Sequence, residues 1–208
     1  MQNNATTVVV LGTGGTIAGT AAQPGDNIGY TAAQLGAEQL VRAIPALAAV
    51  PLEAEQVAQI DSKDMDHATW QRLAQRVAFH LGRDDVAGVV ITHGTDTLEE
   101  TAYFLHRVFA PTKPVVLTAA MRPATAQLAD GPQNLLDAVG VARHPRAQGV
   151  IVVMAGAVHR AVDVRKRHSY RVDAFGSGDA GPVAWIEEGA LREVGPWPRG
   201  DALGEQLP

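Results

Sequence analysis

The stretch Val8-Val9-Val10-Leu11-Gly12-Thr13-Gly14-Gly15-Thr16-Ile17-Ala18-Gly19 decides the reading of this chain. Four apolar residues without polar alternation suit a strand buried on both faces of a parallel sheet. The glycines that follow permit backbone geometry that a Cβ would resist. Thr13 and Thr16 place hydroxyls at the carboxyl end of that strand, where open α/β sheets bind ligands. A dinucleotide fingerprint fails here, because the third glycine of G-x-G-x-x-G would fall on Ile17. A P-loop fails too, because Thr20 stands where its lysine belongs. Two readings stay open: a tight turn presenting a nucleophilic hydroxyl, and a plain glycine-rich turn from strand to helix.

Working outward, apolar runs alternate with helical patterns about five times. After the glycine turn, Thr20 to Thr31 reads as a loop, a candidate lid, and Thr31 is expected to cap a helix running to about Ile44, stopped by Pro45. Leu52 to Ile60 is a weak strand candidate that ends in Asp61-Ser62-Lys63-Asp64-Met65. Asp66 can cap a helix with Trp70, Leu73, Val77 and Leu81 on one face and Gly82 at its end. Val86 to Thr92, Pro114 to Ala119 and Val150 to Met154 read as buried strands, with helices to about Phe109 and Arg143 between them. A further strand is expected at Val183 to Ile186. The fold class is therefore α/β: a mostly parallel sheet with helices on both faces, in three layers.

The chain has 208 residues, 46% hydrophobic and 19% charged, which suits a substantial globular core. A net charge of −5 offers no general basic field for nucleic acid. No apolar run approaches the roughly 18 residues of a membrane span. Met1 to Ala5 does not read as a secretory leader, so a cytoplasmic location is expected, or a periplasmic one if a leader has been removed. The lack of cysteine excludes disulfides, thiolate zinc sites and cysteine nucleophiles.

Polar groups recur at the strand ends: Thr13 and Thr16; Ser62, Lys63 and Asp64; His93, Thr95 and Asp96; Ala120 and Met121. In a parallel sheet all four sets share one edge and can converge. A threonine hydroxyl needs a base before it attacks. His93 is the histidine on that edge, and Lys166, in a basic run after the fifth strand, could reach back to act as a base. Thr95 would pass a proton between lysine and substrate, and the Asp96 carboxylate would orient a substrate ammonium. Asp96, three residues before Glu99, equally fits a helix N-cap with a capping-box partner. Lys166 between Arg165 and Arg167 equally fits a solvated basic patch.

Together these motifs carry a resemblance. Residues Gly12 to Gly19 resemble the first active-site signature of the bacterial-type L-asparaginases, and Ile91 to Ala102 resemble the second. Asp61-Ser62-Lys63-Asp64-Met65, Ala120-Met121-Arg122-Pro123 and Asp130-Gly131-Pro132-Gln133-Asn134-Leu135 are similar to that family in the same order. The resemblance implies a homotetrameric amidohydrolase that converts L-asparagine to aspartate and ammonia through an acyl-threonine intermediate, with no metal and no cofactor. It implies Thr16 as nucleophile, Tyr30 as its hydrogen-bond partner, and Thr95 with Lys166 and Asp96 as the second catalytic group. Ser62 and Asp96 would hold the substrate's α-carboxylate and α-ammonium, with Gly15, Gly94 and Ala120 lining the pocket. Backbone N–H groups near Thr95 would be oxyanion donors.

Lys63 stands where the family usually carries glutamine, glutamate or a small polar residue. Pointing inward it would join the substrate-binding set and repel an α-ammonium; pointing outward it would be nearly silent. In this family a smaller C-terminal domain completes a neighbouring subunit's pocket. Residues 1–194 are thus expected to be the N-terminal catalytic domain, and 195–208 a linker toward an absent second domain, with at most trace activity by themselves. The alternatives are a glutaminase-asparaginase of mixed specificity that also takes L-glutamine, and a non-catalytic module that binds an amino acid.

Overall fold

The computed structural model describes residues 7–203. The expectation about a leader at Met1 to Ala5 lies outside them. Ten strands and four helices follow in the order β1 (Thr7–Gly14), α1 (Ala37–Arg42), β2 (Leu52–Ile60), α2 (His67–Leu81), β3 (Val86–Thr92), α3 (Leu98–Val108), β4 (Pro114–Thr118), α4 (Gly131–Ala142), β5 (Gly149–Met154), β6 (Ala157–Arg160), β7 (Arg165–Lys166), β8 (Phe175–Gly176), β9 (Ala184–Glu187) and β10 (Ala190–Glu193). Eight strands form one sheet in the order β10-β9-β6-β5-β4-β3-β1-β2. Its pairs from β2 through β5 are parallel, and those joining β5, β6, β9 and β10 are antiparallel. The parallel half matches the expected α/β class. In the antiparallel extension β9 answers to the strand expected at Val183 to Ile186, whereas β6 and β10, only four residues each, have no counterpart in the periodicity.

Alternation along the unbroken apolar strands divides the core between two layers. Val9, Leu11, Val89, Ile91, Val115 and Leu117 pack against Leu73 and Val77 of α2 and Leu98 and Leu105 of α3. Val8, Val10, Val90, Val116 and Ile151 face Leu40 of α1 and Leu135 and Ala138 of α4. A side chain every second residue on each face explains why the run Val8 to Leu11 needs no polar position. Strand β1 lies between β2 and β3, so the connection runs one way from β1 to β2 and the chain then returns to β1's other side at β3. This reversal is the switch point at which the carboxyl ends of such sheets open a crevice.

Two expected helix starts are corrected. Thr31 caps no helix: it pairs with Thr20 through reciprocal 2.9 Å bonds that close the neck of the 20–31 loop. The backbone beyond is committed to the glycine turn, because Ala33 N–H donates to Gly15 C=O and Leu35 N–H to Ala18 C=O. Helix α1 therefore starts only after Gly36, whose N–H donates to Gln39 Oε1 at 2.8 Å. Asp96 likewise caps nothing. Helix α3 begins after Thr97, and the Asp96 and Glu99 carboxylates are both taken by Lys166, through its side chain and its main chain respectively. Asp66 does cap α2, accepting from Thr69 N–H at 2.8 Å.

The segment after β10 lies along the body. Asp201 N–H and Leu203 N–H donate to His106 C=O and Arg107 C=O near the end of α3, and Arg107 pairs with Asp201 at 2.9 Å. Among the described residues no helix is long and apolar enough to cross a membrane.

Candidate active site

The carboxyl ends of β1 and β3 meet glycine to glycine. Gly15 has φ 78°, and a Cβ there would collide with the Gly94 backbone. A Cβ on Gly94 would lie 2.7 Å from Ser62 Cβ. Three strand-end loops can touch only because neither position carries a side chain. Ser62, in a single 3-10 turn after β2, accepts from Asp96 N–H through Oγ at 3.1 Å. Its carbonyl accepts from Thr97 Oγ1 at 2.8 Å.

On this rim Thr16 opens a second 3-10 turn. Its Oγ1 is 2.6 Å from Tyr30 OH, carried by the loop whose neck Thr20 and Thr31 close. Thr16 and Thr95 are both buried. Lys166 Nζ donates to Thr95 Oγ1 at 2.8 Å and to Asp96 Oδ1 at 2.7 Å, across some seventy residues of sequence. The structure thus brings Thr16 to Tyr30, and Thr95 to Lys166 and Asp96, with Ser62, Gly15 and Gly94 as the floor between them. Ala120 is buried and sits against the same corner, its Cβ lying 3.3 Å from where a Cβ on Gly131 would stand.

Lys63 is elsewhere. Its ammonium is 2.6 Å from Asp64 and 3.6 Å from Asp61, and its side chain is 61% exposed. Asp64, first among its causes, holds the lysine's pKa above the ordinary range. Its charge is therefore neutralised at the surface rather than delivered to the rim. His93 is no surface base either. It is fully buried, both ring nitrogens are engaged, and desolvation lowers its pKa to about 4 despite the Gly94 hydrogen bond. No group of three His, Asp or Glu among the described residues is placed to hold a metal ion.

Several supporting residues escaped the sequence reading. Glu99, on the first turn of α3, accepts from Lys166 N–H and so fixes the strand that carries the lysine. Asp130, named above only within a family-like motif and given no role, spends its carboxylate on Met121 N–H at 2.9 Å and Arg122 N–H at 3.0 Å. Asn134 donates to Ala119 C=O at 3.0 Å and accepts from Ala155 N–H at 3.0 Å, joining the ends of β4 and β5. The available signal was an Asp and an Asn four residues apart at the start of a largely apolar helix.

The sequence model of the family described as "Asparaginase, N-terminal" matches residues 7–195, nearly all of the chain. The chain belongs to the asparaginase family. Among curated relatives of this family, a glutaminase-asparaginase of Pseudomonas fluorescens biotype A is 44% identical over 185 residues, covering 88% of this chain and 51% of its own length. L-asparaginase 2 of Escherichia coli K12 is 42% identical over 187 residues, with 88% and 53% covered. In three dimensions the asparaginase fold found here is similar to the crystal structure of a probable cytoplasmic L-asparaginase from Campylobacter jejuni, with a TM-score of 0.91 and 40% identity over 96% of this chain and 62% of that one. The chain spans about half the length of the curated relatives it matches.

Proposed function

We propose that this chain supplies the catalytic machinery of an amidohydrolase that converts L-asparagine to aspartate and ammonia. The observation that carries the reading is Lys166 Nζ bridging Thr95 Oγ1 and Asp96 Oδ1 on the rim that also holds the Thr16–Tyr30 pair. In this reading Thr16 Oγ1 attacks the side-chain amide carbon as its proton leaves toward Tyr30. The carbonyl oxygen becomes an oxyanion facing Thr95 N–H, which donates to no described residue. The proton taken from Thr16 is passed on to the amide nitrogen as the C–N bond breaks, releasing ammonia and leaving an ester on Thr16. Water then attacks this ester, and its proton, relayed through the Thr95 hydroxyl that Lys166 holds in place, ends on the departing Thr16 oxygen, freeing aspartate and Thr16. Ser62 and Asp96 receive the α-carboxylate and α-ammonium. The chemistry asks for no metal and no cofactor.

Residues 1–194 are proposed as the catalytic domain, with 195–208 leading toward further chain, in keeping with the length of the relatives. A cytoplasmic homotetramer is the proposed assembly and location. One observation favours a second reading of specificity: relatives at 44% and 42% identity are named glutaminase-asparaginases. The test is ammonia release from L-asparagine and L-glutamine by the protein at its natural length. Thr16→Ala is expected to lower turnover by about 10⁴-fold, as the loss of a nucleophile does. Normal turnover by that variant would remove Thr16 from the mechanism, and binding without ammonia release by the parent would leave an amino-acid-binding module.

A further inference from the structure

Beneath the rim runs a chain of three side chains, His93 and Thr101 fully buried and Trp70 partly so, that the proposed chemistry does not use. Trp70 Nε1 donates to Thr101 Oγ1 at 2.8 Å, Thr101 Oγ1 lies 3.0 Å from His93 Nε2, and His93 Nδ1 lies 2.8 Å from Gly94 O. We propose that His93 is a positioning residue whose ring clamps the Gly94–Thr95 peptide so that Thr95 N–H is presented to the oxygen of the scissile amide. The inference rests on the amidohydrolase reading above and names a determinant of its oxyanion site.

The direction of the chain follows from what each group can do. Gly94 O only accepts, so His93 Nδ1 carries a proton. A fully buried ring with no carboxylate partner among its hydrogen bonds is neutral, in line with its pKa of about 4. Its Nε2 is then an acceptor, and Thr101 must donate to it. Thr101 in turn accepts from Trp70, whose indole N–H only donates. Every proton along the line points toward Gly94, and no reversed arrangement satisfies both ends.

The consequence falls on the next peptide. The Gly94 carbonyl and the Thr95 N–H belong to one rigid plane and point in opposite directions. Fixing the carbonyl toward His93 aims the N–H away from the core. Thr95 is 6% exposed, yet this N–H meets no acceptor among the described residues. Buried amides without partners are rare, and one on a candidate catalytic rim is a donor waiting for a ligand oxygen. Glycine is required at 94 because Ser62 and Gly15 leave no room for a Cβ. Glycine also imposes the least resistance to a peptide flip. The clamp supplies the restraint that the packing denies to the residue itself.

The experiment has two arms. Nitrogen-15 histidine spectra of the unmodified protein should show His93 as the neutral Nδ1–H tautomer, whether or not any amide is hydrolysed. An Nε2–H tautomer overturns the clamp. In kinetics, asparagine amide keeps a donor where Nδ1 sits and glutamine amide where Nε2 sits. His93→Asn should therefore hold kcat within about threefold of the parent. His93→Gln should lose about tenfold or more in kcat with KM changed less than about twofold, since an oxyanion donor acts in the transition state. If the ring served only to fill space, the larger glutamine would be the better replacement; His93→Gln equal to or better than His93→Asn refutes the proposal. A parent that shows the Nδ1–H tautomer and hydrolyses no amide overturns the amidohydrolase reading and, with it, the catalytic purpose of the clamp.

Discussion

Two buried imidazoles should make the fold acid-labile well above the pH at which carboxylates are protonated. His93 and His159 each have a pKa lowered to about 4, in both cases chiefly by desolvation. The unfolded chain binds these protons near the ordinary value of 6.5, before the folded chain does. Stability from both groups is therefore complete above pH 6.5 and drains away as pH falls toward 4. A drop from 6.5 to about 4, at about 1.36 kcal/mol per pH unit, amounts to about 3 kcal/mol for each ring. Against a total stability of about 5–15 kcal/mol, losing both can unfold the domain. His106, lowered mainly by burial, adds in the same direction, while Asp137, raised by burial, opposes it. A comparison between variants isolates one ring. His159 Nδ1 meets Ser177 Oγ at 2.8 Å, and an asparagine amide can replace that contact without titrating. Urea unfolding at several pH values between 5 and 6 should give a steeper fall in stability for the parent than for His159→Asn. The two slopes should differ by about one proton, or roughly 1.3 kcal/mol per pH unit. Equal slopes would refute the claim that His159 is folded neutral.

Gly94→Ala should destabilise the fold by about 2 kcal/mol or more and silence the site, because its Cβ would lie 2.7 Å from Ser62 Cβ; a thermal melt and an ammonia assay read both effects. Lys63→Ala should leave kcat/KM for L-asparagine within about twofold, since its ammonium is already paired with Asp64 at the exposed surface, and a tenfold change would place that charge in the site. Glu99→Ala removes the carboxylate that holds the Lys166 main chain. A charge-assisted bond of about 1.5–3 kcal/mol is lost, so kcat should fall about tenfold or more while the α-helical circular dichroism stays unchanged; unaltered kcat would show that Lys166 needs no such anchor.

Much of this architecture is legible locally. Val8 to Leu11, Val89 to Ile91 and Val115 to Leu117 announce themselves as buried strands because an unbroken β-branched run has few other homes. Gly12 to Gly19 and Asp66 punctuate the chain through backbone sterics and a single cap. The strand-end positions of Thr16, Ser62 and Thr95 follow from those strands. What the sequence could not decide was competition for a partner. Asp96 had a cap three residues from Glu99 as a local option, and the fold instead gave both carboxylates to Lys166, some seventy residues away. Lys63 had two directions open, and Asp64 beside it settled the matter. His93 read as a base at a strand end until Thr101 and Trp70 closed over it. Local backbone preference is written in a few neighbouring residues, whereas the partner that a charge or a ring nitrogen finds depends on which distant segments the packed sheet brings within three ångströms. That is why the sequence alone placed the strands, the turns and the edge on which the site stands, and only the tertiary structure decided which of the polar groups there face one another.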